Sequence, residues 1–275
     1  PLMNIINGGV HANNSLRIQE FMIRPDKAES FKEALNICFL IIQKLKSLIN
    51  SKNLSTTVGD EGGFAPALAN NEIAIEFIIE SITKAGFVPG EDVCICLDVA
   101  ANELFKDKKY AINSPQYISS NKTIEYYLNL IKKYPIKSIE DPFFEEDWDS
   151  WIDFTKSVNK NFQIVGDDLF VTNEKRLKEG INKKAANSIL IKPNQIGTLT
   201  ETIKVINLAQ KYNYKTIISH RSGDTEDTFI ADLAVATNSS QIKAGSLTRS
   251  ERVAKYNRLL RIEDELGKKA KMIKV

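Results

Sequence analysis

Ser188-Ile189-Leu190-Ile191-Lys192-Pro193-Asn194-Gln195-Ile196-Gly197-Thr198 is the stretch whose reading decides the fold. Its first four residues read as a short buried strand, so Lys192 stands where that strand runs out, at the mouth of a core. Pro193 to Gly197 is turn chemistry, and Thr198-Leu199-Thr200-Glu201 is a capping box that opens a helix. Strand, charged residue, turn and helix make one βα unit.

The same unit recurs outward from Lys192. Residues 93–97 read as a strand that ends at Asp98, 137–139 end at Glu140, and 163–166 end at Asp167. Beyond Lys192, residues 215–219 end at His220 and 241–242 end at Lys243. Amphipathic stretches such as 123–134, 198–212 and 226–237 fill the intervals with helix. The N-terminal part breaks this rhythm. Residues 2–7 and 19–23 are two strand-like runs, joined by a Gly8-Gly9 turn and a polar loop holding His11. A helix capped at Ser30 runs to about Ile49, a glycine-rich loop covers 58–66, and a second helix spans about 71–85.

Six repeat strands and the first two make eight, and a parallel sheet with helical crossovers must be covered on both faces. The reading is therefore an α/β barrel, with residues 1–275 as one catalytic domain. An open doubly wound sheet is the alternative. It would need a glycine-rich phosphate turn after its first strand, and Gly8-Gly9 followed by His11 is not G-x-G-x-x-G.

At 43% hydrophobic, 275 residues can bury such a core. A net charge of +2 with both signs interspersed gives no case for nucleic acid as partner. The longest apolar run, Ile37 to Ile42, is far short of the roughly 18 residues that a membrane span requires. No secretory signal is read, and a first residue of Pro1 rather than Met marks the chain as a fragment or processed piece. Cys38, Cys94 and Cys96 lack zinc-ligand spacing and read as small core residues in a reducing cytoplasm.

In a barrel the strand C-termini form one rim, so the residues that close the strands are a set. Asp98, Glu140 and Asp167 close successive strands. Three converging carboxylates repel one another, which calls for a hard cation between them, and all-oxygen ligation favours Mg²⁺ over zinc. Lys192 and Lys243 close two of the next three strands. Neighbouring cations would push Lys192 toward the neutral form that suits a general base. His220-Arg221-Ser222-Gly223, with a helix expected from about Thr225, presents a cation, a hydroxyl and a helix N-terminus to a phosphate. Glu61 lies between glycine-flanked turns, on a loop able to approach a substrate. Together these parts describe cation-assisted abstraction of a proton next to a carboxylate on a phosphorylated substrate.

The chain resembles the enolase family. The resemblance is carried by Asn7 to Ala12 (NGGVHA), Gln19 to Met22 (QEFM), Val58 to Gly63 (VGDEGG), Ser138 to Pro142 (SIEDP) and Val165 to Asn173 (VGDDLFVTN). Asn194 to Thr198 (NQIGT), Ser219 to Gly223 (SHRSG), Thr225 to Asp232 (TEDTFIAD) and Ser250-Glu251-Arg252 with Ala254-Lys255 extend it to about Leu266. It implies a TIM-like barrel of the enolase type, ββαα(βα)₆, with an antiparallel second strand and with the family's N-terminal capping domain, which carries a serine loop, absent. It also implies a glycolytic hydro-lyase, a phosphopyruvate hydratase, that reversibly dehydrates 2-phosphoglycerate to phosphoenolpyruvate. By resemblance, Lys192 is the base at C2 and Glu61 the acid at the C3 hydroxyl, with Glu20 and His11 around the departing water. Gln19, Lys243, His220, Arg221 and Ser222 are implied substrate contacts. Asp98, Glu140 and Asp167 are implied Mg²⁺ ligands, with Asp168 set aside as the other member of its pair. A homodimer or larger homo-oligomer in the cytoplasm follows from the same likeness, with a cell-surface or secreted pool as a second location.

Pro193, where an aliphatic residue is commoner, and Asp224, where glutamate is expected, depart from the family pattern. Two other functions stand beside the main one. Another lyase of the superfamily would have no use for a phosphate loop, and a non-catalytic scaffold or surface-binding protein would not need every catalytic position filled.

Overall fold

Period-two alternation along each strand explains where the charged residues go. In the computed structural model, which describes residues 1–113 and 116–274, β3 (Cys94–Asp98) turns Cys94 and Cys96 into a small apolar cluster with Leu2, Met22, Val165, Leu190 and Ile217. Ile95 and Leu97 instead join the larger core between sheet and helices. The inward phase carries on to Asp98 at the strand end. The cysteines are free and buried, as a core reading requires.

Among the described residues, eight strands form one sheet in the order β1-β2-β3-β7-β8-β9-β10-β11. They are β1 (Met3–Asn7), β2 (Glu20–Arg24), β3, β7 (Ile136–Glu140), β8 (Gln163–Gly166), β9 (Ser188–Ile191), β10 (Lys215–Ser219) and β11 (Gln241–Lys243). β2 is antiparallel to both β1 and β3, and every later pairing is parallel. Leu2 bridges Lys243 in parallel, and its N–H donates to the Ile242 carbonyl at 2.8 Å, which brings β11 round to β1. The sheet is a nearly closed barrel of the expected ββαα(βα)₆ type. The antiparallel β2 matters for function: its N-terminal Glu20 pairs with the C-terminal Asp98, so both acids sit at one mouth.

The covering helices begin with α1 (Phe31–Ser51) and α2 (Asn71–Lys84), then α3 (Ser120–Lys133), α4 (Trp148–Ser157) and α5 (Glu174–Lys183). After β9 come α6 (Pro193–Ile196), α7 (Leu199–Lys211), α8 (Phe229–Ala236) and α9 (Ser250–Leu266). α1 starts where the side chain of Ser30 accepts the Glu33 N–H at 3.1 Å, and it buries Ala34, Ile37, Cys38, Ile41, Leu45 and Leu48 at helical spacing.

Three elements differ from the sequence expectation. Pro193 to Ile196 forms one helical turn, because proline is tolerated at its first position and Gly197, at φ 106°, ends it. A second sheet, β4 (Phe105–Lys106), β5 (Lys109–Asn113) and β6 (Gln116–Ser119), lies between β3 and α3. Its first turn places Asp107 and Lys108 at φ 49° and 58°, a hairpin geometry made without the usual glycine. Finally, α8 begins at Phe229 and not near Thr225. The Thr225 hydroxyl accepts the Asp227 N–H at 3.3 Å and Asp227 accepts the Phe229 N–H at 2.8 Å, so polar turns hold the chain out of helix until then.

Candidate active site

Of the twelve residues singled out from sequence, all but Glu140 line one cavity of about 320 Å³ at the barrel mouth. Glu140 lies just beneath, fully buried.

The floor is a charged layer. Lys243 Nζ donates to Asp98 Oδ2 at 2.8 Å and to Glu140 Oε1 at 2.9 Å, and it stands 3.2 Å from Glu20 Oε1. Burial pulls the Lys243 ammonium down, yet these carboxylates outweigh it and hold the group well above its ordinary value. Lys192 Nζ donates to Asp167 Oδ2. Burial and the Lys243 charge depress Lys192, as the sequence led one to expect, but Asp167 and Glu140 reverse the outcome and raise it. Carboxylates outnumber the lysines here.

Asp141 was not anticipated from sequence. It sits at φ 41° directly after β7, and its carboxylate accepts the Asp167 N–H at 2.9 Å and the Asp168 N–H at 2.7 Å. It thereby fixes the backbone of both acids. Burial raises Asp141 well above the carboxylate range, helped by Asp167 and Asp168. Burial and Asp167 also push Asp168 up to about 6. Thr172 does similar work for Lys192: its hydroxyl accepts the Lys192 N–H at 2.9 Å and donates to Gln195 at 3.0 Å. Asp141 directly follows a strand end, and both residues lie within family motifs, but nothing in their spacing pointed to these contacts.

Glu61 is held from several sides. Four successive carbonyls of its loop are received by the segment after β11. Arg249 donates to Gly59 O at 3.3 Å, Arg252 to Asp60 O at 3.2 Å, Ser246 N–H to Glu61 O at 2.9 Å and Thr248 to Gly62 O at 2.6 Å. Gly245, at φ 77°, makes this approach possible, since a Cβ there would meet Glu61 O at 2.7 Å. The Glu61 carboxylate lies 3.2 Å from His220 Nε2 and 3.8 Å from His11 Nδ1, and it accepts from Asn4 Nδ2 at 3.3 Å. Burial pushes Glu61 up, but His220, Lys243 and His11 prevail and hold it well below the usual range. Glu20 goes the other way: burial and the Glu61 charge raise it.

Arg221 and Ser222 lie at the rim, half-buried and exposed. The helix N-terminus expected beside them is eight residues beyond Arg221, at Phe229, so a phosphate there would meet side chains and loop backbone.

The acids suit a hard cation. Glu140 Oε2 and Asp167 Oδ1 are buried without a hydrogen-bond partner, and Glu140 is raised by burial and by the Asp98 charge. One oxygen each of Asp141, Asp167 and Asp168 also lie within 4.8 Å of one another, as do single ligand atoms of His11, Glu20 and Glu61.

Residues 1–274 match the family model described as "Enolase, C-terminal TIM barrel domain". The chain is 66% identical over 275 residues to the protein named Enolase of Pelagibacter ubique (strain HTCC1062), covering 100% of this chain and 66% of that relative. It thus spans just under two thirds of the relative's length.

Proposed function

The chain belongs to the enolase C-terminal TIM barrel family, and on that premise we propose that its barrel mouth reversibly dehydrates 2-phosphoglycerate to phosphoenolpyruvate, as a glycolytic hydro-lyase of the cytoplasm. One observation carries the reading: Lys192 and Glu61 reach one polar cavity from separate sectors of the ring. A base and an acid so placed can act on neighbouring carbons of one small molecule.

Lys192 takes the C2 proton once Asp167 is engaged elsewhere and no longer holds the ammonium protonated. Asp98, Glu140 and Asp167 would hold Mg²⁺, which supplies neutralisation of the charge that builds on the substrate carboxylate. Lys243 adds a fixed positive charge beneath that carboxylate. On the other side, Glu61 hands a proton to the departing C3 hydroxyl. Glu20 and the imidazole of His11 stand beside Glu61 around the departing group, His11 Nδ1 being 3.8 Å from both acids. Gln19, His220, Arg221 and Ser222 complete the contacts, the last two toward the phosphate. That rim cation and hydroxyl support a phosphorylated substrate over an unphosphorylated sugar acid.

Exchange of the C2 proton with solvent tests the reading, because it isolates the base from the acid. Purified full-length protein, capping domain included, should exchange that proton with Mg²⁺ present and release phosphoenolpyruvate. Absence of both with authentic substrate would exclude this activity.

A further inference from the structure

Arg252 is buried on the first turn of α9; Glu251 Oε1 lies 3.6 Å from its Nε, whereas its two terminal nitrogens face a ring nitrogen and backbone carbonyls. Its Nη1 lies 2.6 Å from His220 Nδ1 and donates to Arg221 O at 2.7 Å. Its Nη2 donates to Ser222 O at 2.6 Å and Asp60 O at 3.2 Å. A guanidinium has only donors, so His220 Nδ1 must accept. The second ring nitrogen must then carry the proton of the neutral imidazole, and that nitrogen faces Glu61 Oε2 at 3.2 Å.

We propose that Arg252 is a positioning residue that locks His220 as its Nε2–H tautomer, leaving that buried N–H, 3.2 Å from Glu61 Oε2 and without a hydrogen-bond partner among the described residues, for a substrate oxygen. The same side chain ties the Glu61 loop to the 220–222 loop through three carbonyls, which sets both partners of that contact at once. A doubly protonated His220 would put N–H against N–H at 2.6 Å from a buried cation. Burial holds the imidazole below its ordinary value, in keeping with a neutral ring. With the ring so fixed, His220 can donate to a substrate oxygen, but cannot take a proton from it while Arg252 holds Nδ1. The tautomer stands on geometry alone; its bearing on turnover rests on the function proposed above.

The chain has two histidines, which makes the test direct. Long-range ¹H–¹⁵N correlation on ¹⁵N-histidine protein reports which ring nitrogen is protonated, and His11→Gln assigns the remaining signals to His220. The expected result at neutral pH is a bare Nδ1 and a protonated Nε2. Arg252→Met, which has no donor, should move the proton to Nδ1 or mix the two forms, while Arg252→Lys should keep the wild-type form. In turnover, Arg252→Met should lower kcat for dehydration by on the order of 10²-fold with C2 exchange retained and KM changed less, with partial rescue by lysine. A wild-type His220 protonated on Nδ1 or on both nitrogens would overturn the proposal, as would an unchanged tautomer in Arg252→Met. Should the methionine variant fail to fold by circular dichroism, the wild-type and lysine spectra still decide. A correct tautomer in a protein with no hydratase turnover would count against the functional reading and leave the tautomer standing.

Discussion

Lys192 and Glu61 act on different bonds, so their loss should separate two steps. Lys192→Ala should abolish exchange of the C2 proton with solvent, whereas Glu61→Gln should retain exchange and lower dehydration by about 10² to 10⁴-fold. Equal loss of exchange in both, with substrate still bound, would refute the division. Asp168 offers a stability test. Its carboxyl is raised to about 6 from an ordinary 3.8, so the folded state prefers it protonated. That preference stabilises the protein fully below the unfolded value and is lost as pH rises through about 6. In chelator, Asp168→Asn should therefore raise the melting temperature at pH 7.5 relative to wild type and change it little at pH 4. A larger gain at pH 4 would reverse the sign. The same variant should raise the Mg²⁺ requirement less than Asp167→Asn, measured by titration of activity.

The elements hold one another by contacts that span the chain. Glu263, on α9, accepts the Phe31 N–H at 2.5 Å and the Lys32 N–H at 2.9 Å, so it satisfies two of the free donors at the start of α1. Its charge also suits that helix end. Glu263→Ala should cost about 1–2 kcal/mol by denaturant melts, with the denaturant slope unchanged. No change would mean that water replaces the carboxylate without loss. At this scale the sequence was uneven. Ser30 and Thr198 announce their helices, and each accepts the expected backbone N–H. The β4–β6 sheet was missed because its strands are short, its edge strands β4 and β6 bury little, and its Asp107-Lys108 turn carries no glycine. The late start of α8 was missed because side chains of the 225–228 segment compete for the backbone donors, which periodicity does not register.

For the whole molecule, the barrel concentrates like charge at one mouth, which costs stability until a cation relieves it. A ligand that binds only the folded state stabilises by RT ln(1 + [L]/Kd), about 2.7 kcal/mol at 100 times Kd. Mg²⁺ should thus raise the melting temperature of wild type, and Glu140→Gln or Asp167→Asn should remove most of that rise, with Glu140→Gln leaving the metal-free protein no less stable. Retention of the full rise in both variants would place the cation elsewhere. Glu140→Gln should not unfold the metal-free protein, because burial and the Asp98 charge already oppose ionisation of Glu140.

By itself the sequence determined the strand count, the βα rhythm and the residues that close each strand. All of these follow from local periodicity, since a buried strand must be apolar on both faces and must stop where charge begins. The motifs also carried the family. Only the tertiary structure decided which charges pair. Lys192 is held by Asp167 and Lys243 by Asp98 and Glu140, although nothing in their spacing sets those choices. It also assigned Asp141 and Arg252 their partners, which lie 26 and 32 residues away. Pairing of this kind depends on register round a closed ring, and register is settled by the packing of the whole barrel.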